Sequence, residues 1–447
     1  MTMATAISPR PLAEFLDTEA AQLASACTRC GKCVEVCPVV PFGPMASVES
    51  EQVVAPVVDY LGGGERMPEA SAAWMNACNG CGECIPACPE AINPRKMLML
   101  AAAKESQNGS KTPELFRRMS RAIKIMVAMQ LVPQEFAKLF VPAQRRKADI
   151  VFYLGCNALR TPHLLFNTMA VLDALDTDYA VVGGPSSCCG VISTKWEGST
   201  ATGQRITNNT ISNFEGFAPE KVLNWCPTCQ LHLGETLEGY RETSFSFDHV
   251  TAYLTSRMED VQKLIVRPVP RRAVLHIHAG CIDIGRAVER LLQSVPGLDL
   301  ADTVVESGYT CGGSGCSKSP QLAAREHAEL LDRVRATGAD TLITLYHGCH
   351  AIFSAAEKQG GFEVLNFTDV LVAAIGGVPH QDMLKKYVLL DDWDMIVNEA
   401  QPYLKANGIE IDDDWLKRHG PDILASAEFR GGLDCLGTGA ATSRQRQ

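Results

Sequence analysis

The chain has no run of ~18 consecutive apolar residues, so no membrane-spanning helix is expected. Its opening residues, MTMATAISPRPLAEFLDTEA, lack the basic-then-apolar pattern of a secretory signal. Positive charge is not in excess. Against 41 Lys and Arg stand 51 Asp and Glu, a net charge of −10 that argues against nucleic acid as a partner. A dinucleotide loop is missing too. GGGER at 62–66 and GGSG at 312–315 are not G-x-G-x-x-G sequences between a strand and a helix. No flavin or nicotinamide site of the chain's own is therefore expected. These absences predict a cytoplasmic protein, peripheral to the inner membrane only through a partner. With 447 residues, 46% hydrophobic and 21% charged, the composition is that of a packed chain of several domains.

Cysteine is what the chain has in quantity: 18 residues, most of them regularly spaced. A long chain without a secretory signal does not fit a secreted disulfide scaffold, so metal or cluster ligation is expected. Residues 27–38 read CTRCGKCVEVCP and residues 78–89 read CNGCGECIPACP. Both are C-x2-C-x2-C-x3-C-P, the bacterial ferredoxin pattern, in which the fourth cysteine reaches the other cluster. One [4Fe–4S] cluster is thus assigned to Cys27, Cys30, Cys33 and Cys88. A second is assigned to Cys78, Cys81, Cys84 and Cys37. The 40 residues between Cys37 and Cys78 exceed what a compact two-hairpin ferredoxin uses. Helical patterns at 11–26, in ASVESEQVVAPVVDYL, in EASAAWMNA and in NPRKMLMLAAAKES predict a mostly helical domain over 1–110.

Residues 111–147 form a basic linker; from 113 onward it holds eight basic and two acidic residues. Leu115, Met119, Ile123, Met126 and Gln130 fall near one helical stripe, and Arg117, Arg121 and Lys124 on another. The expectation is a helix packed on its own protein with a solvated basic face. A membrane surface or an acidic partner is the sharper alternative.

From residue 148 short β-branched runs alternate with helical runs, and the course begins again near 269. Cys156 corresponds to Cys281, Cys189 to Cys311 and Cys229 to Cys349, with offsets of 125, 122 and 120. SFDHV at 246–250 is echoed by NFTDV at 366–370, which sets His249 against Asp369. The offsets indicate an internal duplication, 148–268 and 269–378, each half α/β. The cysteines follow predicted strand ends, the usual site face of such sheets. In the first half Cys156, Cys188, Cys189, Cys226 and Cys229 converge. Five thiolates are one too many for a single cube, which implies a cluster with extra bridging capacity or a cube plus a spare thiol.

The first half reads C-x31-CC-x36-C-x2-C. This resembles the CCG domain of the catalytic subunit of heterodisulfide reductase, and the amino-terminal motifs resemble its small iron–sulfur subunit. The fused order is similar to the catalytic subunit of membrane-linked heterodisulfide reductases. It is also similar to an iron–sulfur protein of the sulfite-reductase complex, and to the iron–sulfur subunits of glycolate oxidase and anaerobic glycerol-3-phosphate dehydrogenase. The resemblance implies an α+β multidomain protein, a helical two-cluster ferredoxin domain followed by two duplicated α/β CCG domains. It implies a noncubane [4Fe–4S] cluster on the five cysteines of the first half, with Cys188 and Cys189 as catalytic residues. Its partners would be a flavoprotein electron donor or acceptor, a membrane quinone-linked subunit, and a disulfide or thiol substrate.

The second half departs from the pattern. Thr310 stands for Cys188 and Tyr346 for Cys226, leaving Cys281, Cys311 and Cys349. His276, His278, His347 and His350 lie close by in sequence. A cluster with an imidazole ligand, a zinc ion, or no metal are all open there. Cys316 and Cys435 match no ligand position and are expected to be structural thiols. His232 and His249 are expected to be local hydrogen-bonding residues, while Asn157 and Lys195 are candidates to line the first site. Residues 379–447 lie outside the repeat, with helices expected in DDWDMIVNEA and DDDWLKRHG. Two functions are carried forward: an oxidoreductase subunit that reduces or forms a disulfide, and a pure electron relay for a flavin-dependent 2-hydroxyacid (glycolate, lactate or glycerol-3-phosphate) dehydrogenase. A zinc scaffold is a third.

Overall fold

The computed structural model describes residues 10–109, 114–141, 144–309 and 318–426. Thr310, Cys311, Cys316 and Cys435 lie outside the described residues.

The amino-terminal part is helical, as the spacing of its apolar residues predicts. Its longer helices are Leu12–Ala26, Ser50–Leu61, Glu69–Ala77 and Pro94–Asn108. Val53, Val54, Val57 and Val58 pack with Phe15, Trp74 and Met97 into one core. Pro94 starts the last helix at a position where its missing N–H costs nothing, and the Asn93 side chain accepts from the Lys96 N–H. The two cysteine runs occupy the turns between these helices.

The remaining chain holds two parallel sheets of the same topology. In the first, strands β1 (Ile150–Gly155), β2 (Tyr179–Gly183), β3 (Lys221–Asn224) and β4 (Ser246–His249) lie in the order β2-β1-β3-β4. In the second, β5 (Arg271–His278), β6 (Leu298–Glu306), β7 (Thr341–Thr344) and β8 (Glu363–Asn366) lie in the order β6-β5-β7-β8. Every residue of β1 is buried, as expected for a central strand covered by helices on both faces. One apolar core runs through both sheets, from Phe152 and Leu223 to Leu275 and Ile343.

Strand pairing corrects the sequence alignment of the repeat in two places. Tyr153 pairs with Asn224 in the first sheet, and Leu275 pairs with Ile343 in the second. With β3 and β7 aligned through Cys229 and Cys349, Tyr153 matches His276 and Gly155 matches His278. Asn224 pairs with His249 and Thr344 with Asn366. His249 therefore matches Asn366, not Asp369. The shared role is a helix cap: His249 accepts from Thr251 N–H, and Asn366 accepts from Thr368 N–H. The sequence echo slipped by three residues because the aspartate of the second half belongs to the Asn366 capping box.

The linker helix Leu115–Ala128 buries Leu115, Met119, Ile123 and Met126, with Gln130 buried just beyond. Arg117, Arg118, Arg121 and Lys124 are exposed. Its other flank meets the carboxy-terminal helices Trp393–Ala406 and Asp413–Leu424, where Ile125, Met126 and Met129 pack with Tyr387, Ile396 and Leu416. Among the described residues no helix is long and apolar enough to cross a membrane.

Candidate metal centres

The two ferredoxin-type runs each fold as a tight loop. Gly31 and Gly82 take the left-handed conformation, with φ of 77° and 83°. A Cβ at Gly31 would lie 2.7 Å from the Ser50 Cβ, so glycine lets the loop close against the helix Ser50–Leu61. The loops interleave their cysteines. One cavity is lined by Cys27, Cys30, Cys33 and Cys88, the fourth thiol coming from the second run. Cys37 in turn faces Cys78, Cys81 and Cys84. Trp74 Nε1 donates to Cys37 Sγ at 3.3 Å. Burial pushes the thiols of Cys33 and Cys81 up to about 12, and neighbouring thiols add to the shift. Packed protons on clustered, buried sulfurs are what a metal displaces, and these two thiol sets fit a cuboidal cluster each. Cys27, Cys30 and Cys88 remain partly exposed, while Cys81 and Cys84 are buried.

The five cysteines of the first sheet come together at its carboxyl edge. Cys156 follows β1, Cys188 and Cys189 follow β2, and Cys226 and Cys229 follow β3. All are at most 7% exposed. Cys156 Sγ donates to Cys188 Sγ at 3.8 Å, and Cys229 Sγ contacts the Tyr153 hydroxyl at 3.7 Å. Cys189 contacts both Cys188 and Cys229, and Cys226 contacts Cys229.

Two glycines make this convergence sterically possible. Gly155 has a φ of 71°, and a Cβ there would sit 2.9 Å from Cys226 Cβ and 3.2 Å from Cys229 Sγ. Gly190, directly after the cysteine pair, has a φ of 90°; its Cβ would meet Thr207 Oγ1 at 2.4 Å and Gly203 O at 2.9 Å. The helix Thr200–Glu215 can therefore pack against the pair. From it Thr207 Oγ1 donates to Cys189 O at 2.8 Å and Thr210 Oγ1 to Cys188 O at 2.7 Å. The loop is held at both peptide carbonyls, and the thiols stay free to turn toward one another. Five sulfurs linked in a chain of contacts from Cys156 to Cys226, fixed by backbone, fit a cluster with more thiolate ligands than a cube takes.

The second sheet does not repeat this. His278, at the position of Gly155, fills the space with its ring, and its Nε2 lies 3.1 Å from Cys349 Sγ. His276 Nε2 lies 2.9 Å from Glu306 Oε2. Burial opposes protonation of His276, yet the Glu306 carboxylate holds it up at about 10. Tyr346, in place of Cys226, faces Cys281. Of the four histidines expected near these cysteines, His276 and His278 lie with Cys349. His350 turns away, to Asp382 Oδ2 at 2.6 Å. His347 is buried, and burial drives it down to about 4.

Other expected residues fall as follows. His249 hydrogen-bonds locally, its Nε2 to Trp225 O at 3.1 Å and its Nδ1 to Thr251 Oγ1 at 2.8 Å. His232 does not; it is buried, and among the described residues neither ring nitrogen has a hydrogen-bond partner. Asn157 accepts from Arg160 Nε at 2.9 Å. Lys195 Nζ lies 2.7 Å from Met99 Sδ and faces Cys78; burial, with Lys318 nearby, lowers it to about 8.

One residue absent from the sequence expectations ties the parts together. Arg95 Nη1 donates to Gly80 O at 2.9 Å and to Gly280 O at 3.0 Å, and Arg95 pairs with Glu235. Gly80 belongs to the second ferredoxin loop, Gly280 adjoins Cys281, and Glu235 follows Cys229. Tyr309 lies beside Arg95 with Cys281 and Cys226 nearby, and its N–H donates to Asn79 O at 3.0 Å. The loop of Cys78–Cys84 is thus the one that abuts both sheets. An arginine in a helix gives no local sign of such a role.

Comparison with known proteins matches this layout. The family described as "4Fe-4S dicluster domain" matches residues 20–89, and "Cysteine-rich domain", CCG, matches 150–234 and 275–354. The chain is 23% identical over 322 residues to a subunit of the fumarate reductase (CoM/CoB) of Methanothermobacter marburgensis, covering 69% of this chain and 63% of that one. It is 25% identical over 210 residues to a subunit of the dihydromethanophenazine:CoB–CoM heterodisulfide reductase of Methanosarcina barkeri, covering 44% and 51%. The same heterodisulfide reductase subunit of Methanosarcina acetivorans is 24% identical over 292 residues, covering 60% and 69%. The chain thus spans between about half and just over two thirds of the length of these relatives. It matches a 4Fe-4S dicluster domain followed by two copies of the CCG domain, and it is related to that heterodisulfide reductase subunit.

Proposed function

We propose that this chain conducts electrons through two [4Fe–4S] clusters to a five-thiolate cluster in its first CCG domain, where a disulfide is reduced or formed. The observation that carries this is the convergence of Cys156, Cys188, Cys189, Cys226 and Cys229 around Gly155, in one half only. Cys27, Cys30, Cys33 and Cys88 hold the first cluster, near the surface, where a flavoprotein can exchange electrons. Cys78, Cys81, Cys84 and Cys37 hold the second, whose loop abuts the first CCG domain through Gly80, Arg95 and Glu235.

When bound, a cluster held by these five thiolates would supply one-electron redox chemistry at the sheet edge where a disulfide would be presented. The overall step is R–S–S–R′ with two electrons and two protons giving two thiols, or its reverse. Thr207 and Thr210 hold the carbonyls of the cysteine pair, which fixes where Cys188 and Cys189 present their sulfurs. Tyr153 donates to Ser187 O at 2.9 Å and keeps its hydroxyl against Cys229. In the second half His278 and Tyr346 fill the equivalent space, so a matching noncubane cluster is not part of the proposal. Cys281 and Cys349, with Cys311, keep their place as metal-ligand candidates there.

The burial of all five cysteines favours a second reading, in which the same clusters only relay electrons for a flavin-linked 2-hydroxyacid dehydrogenase. Single-turnover chemistry separates the two. The dithionite-reduced holoprotein is mixed anaerobically with a small asymmetric disulfide, and released thiol is counted against clusters oxidised. Disulfide reduction predicts two thiols per two electrons lost; a relay predicts none.

A further inference from the structure

We propose that His163, His350 and Asp382 bind a zinc ion that clasps the two sheet domains to the carboxy-terminal helices. This site is separate from every cysteine cluster and does not depend on the function proposed above. His163 lies in the helix Pro162–Ala174 of the first sheet domain. His350 lies in His347–Phe353 of the second. Asp382 is the N-cap of Met383–Leu390, the first helix beyond the repeat. The three residues are thus supplied by three parts of the chain, and one ligand atom from each lies within 4.8 Å of the other two.

Both histidine side chains are fully buried, and the Asp382 carboxylate is 14% exposed. His163 is the decisive residue. Neither of its ring nitrogens has a hydrogen-bond partner among the described residues, although leaving a buried imidazole without partners is unfavourable. Its Nε2 lies 3.4 Å from Asp382 Oδ2. Two ligand atoms on a tetrahedral zinc at bond lengths of ~2.0–2.1 Å stand ~3.3 Å apart, so this pair is already at coordination spacing. His350 Nε2 lies closer, 2.6 Å from the same oxygen, as a hydrogen bond requires. Zinc would replace that proton and open the pair by a fraction of an ångström.

The outer contacts suit a metal as well. His350 Nδ1 meets Thr344 Oγ1 at 3.2 Å, which leaves Nε2 turned to the site, the usual arrangement for a ligating histidine. Asp369, His380 and Lys385 also border the cluster. Two imidazoles and one carboxylate suit zinc, with one position left for water or a further ligand.

The test uses the full-length holoprotein with its iron–sulfur clusters, produced with zinc in the medium. Metal analysis should find about one zinc per chain, and zinc-edge X-ray absorption should show nitrogen and oxygen at ~2.0–2.1 Å with no sulfur at ~2.3 Å. His163→Gln and Asp382→Asn should each lower zinc at least ~10-fold and leave iron content unchanged. Absence of zinc, sulfur among its nearest neighbours, or retention of zinc in His163→Gln would overturn the proposal. The absorption measurement on the unsubstituted protein decides the matter even where a variant does not fold.

Discussion

His278 occupies the strand position that Gly155 holds in the first half, and its Nε2 sits 3.1 Å from the Cys349 thiol. In the second half that imidazole, together with Tyr346 in place of Cys226, fills the space that the first half leaves to its sulfurs. The cysteine pair is the visible mark of the first half, and the glycine before Cys156 is the steric condition for the convergence of its thiols.

Gly155→Ala tests that condition. The positive φ costs about 1–2 kcal/mol for an L-residue, and the new methyl presses on Cys226 and Cys229. The expected result is loss of the five-thiolate cluster, about four irons per chain, with both ferredoxin-type clusters retained. Iron analysis with EPR of the reduced protein checks it.

Gly190→Ala should be harsher for folding. Its Cβ would run into Gly203 O as well as Thr207 Oγ1, and backbone gives way less readily than a side chain. A loss of roughly 2–3 kcal/mol is expected, from strain at positive φ and displacement of the helix Thr200–Glu215. Denaturant unfolding of holoprotein and variant measures it.

Arg95→Met should uncouple the ferredoxin-type domain from the sheets. The Arg95–Glu235 pair is mostly buried, and removing one partner of such a pair costs about 3–5 kcal/mol. Arg95→Met with Glu235→Gln should recover part of that stability. Stopped-flow reduction should still show slower electron arrival at the five-thiolate site in both variants.

Buried neutral histidines give the protein an acid-labile component. Burial pushes His232 down to about 3 and His249 to about 4, both below the ordinary value near 6.5. Between pH 6.5 and those lower values the unfolded chain binds the proton and the folded chain does not. Their stability is therefore fully present above pH 6.5 and is lost as pH falls toward 4. Each contributes roughly 2 kcal/mol of loss between pH 6.5 and 5. His232→Leu should flatten the fall of Tm over that interval, which thermal unfolding across pH records.

The sequence was informative where chemistry repeats at fixed spacing. Two whole motifs in the chain set Cys88 with Cys27, Cys30 and Cys33, and in the fold these four line one cavity. The alternation of strands and helices announced two parallel sheets. The stripe from Leu115 to Met126 announced a packed helix, although not that the carboxy-terminal helices cover its other flank. Long-range relationships were not legible. His350 looked like a neighbour of Cys349, yet a helix carries it to Asp382 and His163. Arg95 carries no motif, and its role follows from three parts of the fold meeting at Gly80, Gly280 and Glu235.

Disulfide chemistry at the five-thiolate cluster is tested most sharply by EPR of the anaerobic holoprotein titrated with thiol and disulfide, compared with Cys188→Ser. Such chemistry predicts a paramagnetic signal that depends on the added disulfide, is lost in Cys188→Ser, and leaves the signals of the ferredoxin-type clusters intact. A protein whose spectra ignore every thiol and disulfide, or whose disulfide-dependent signal survives in Cys188→Ser, would contradict it.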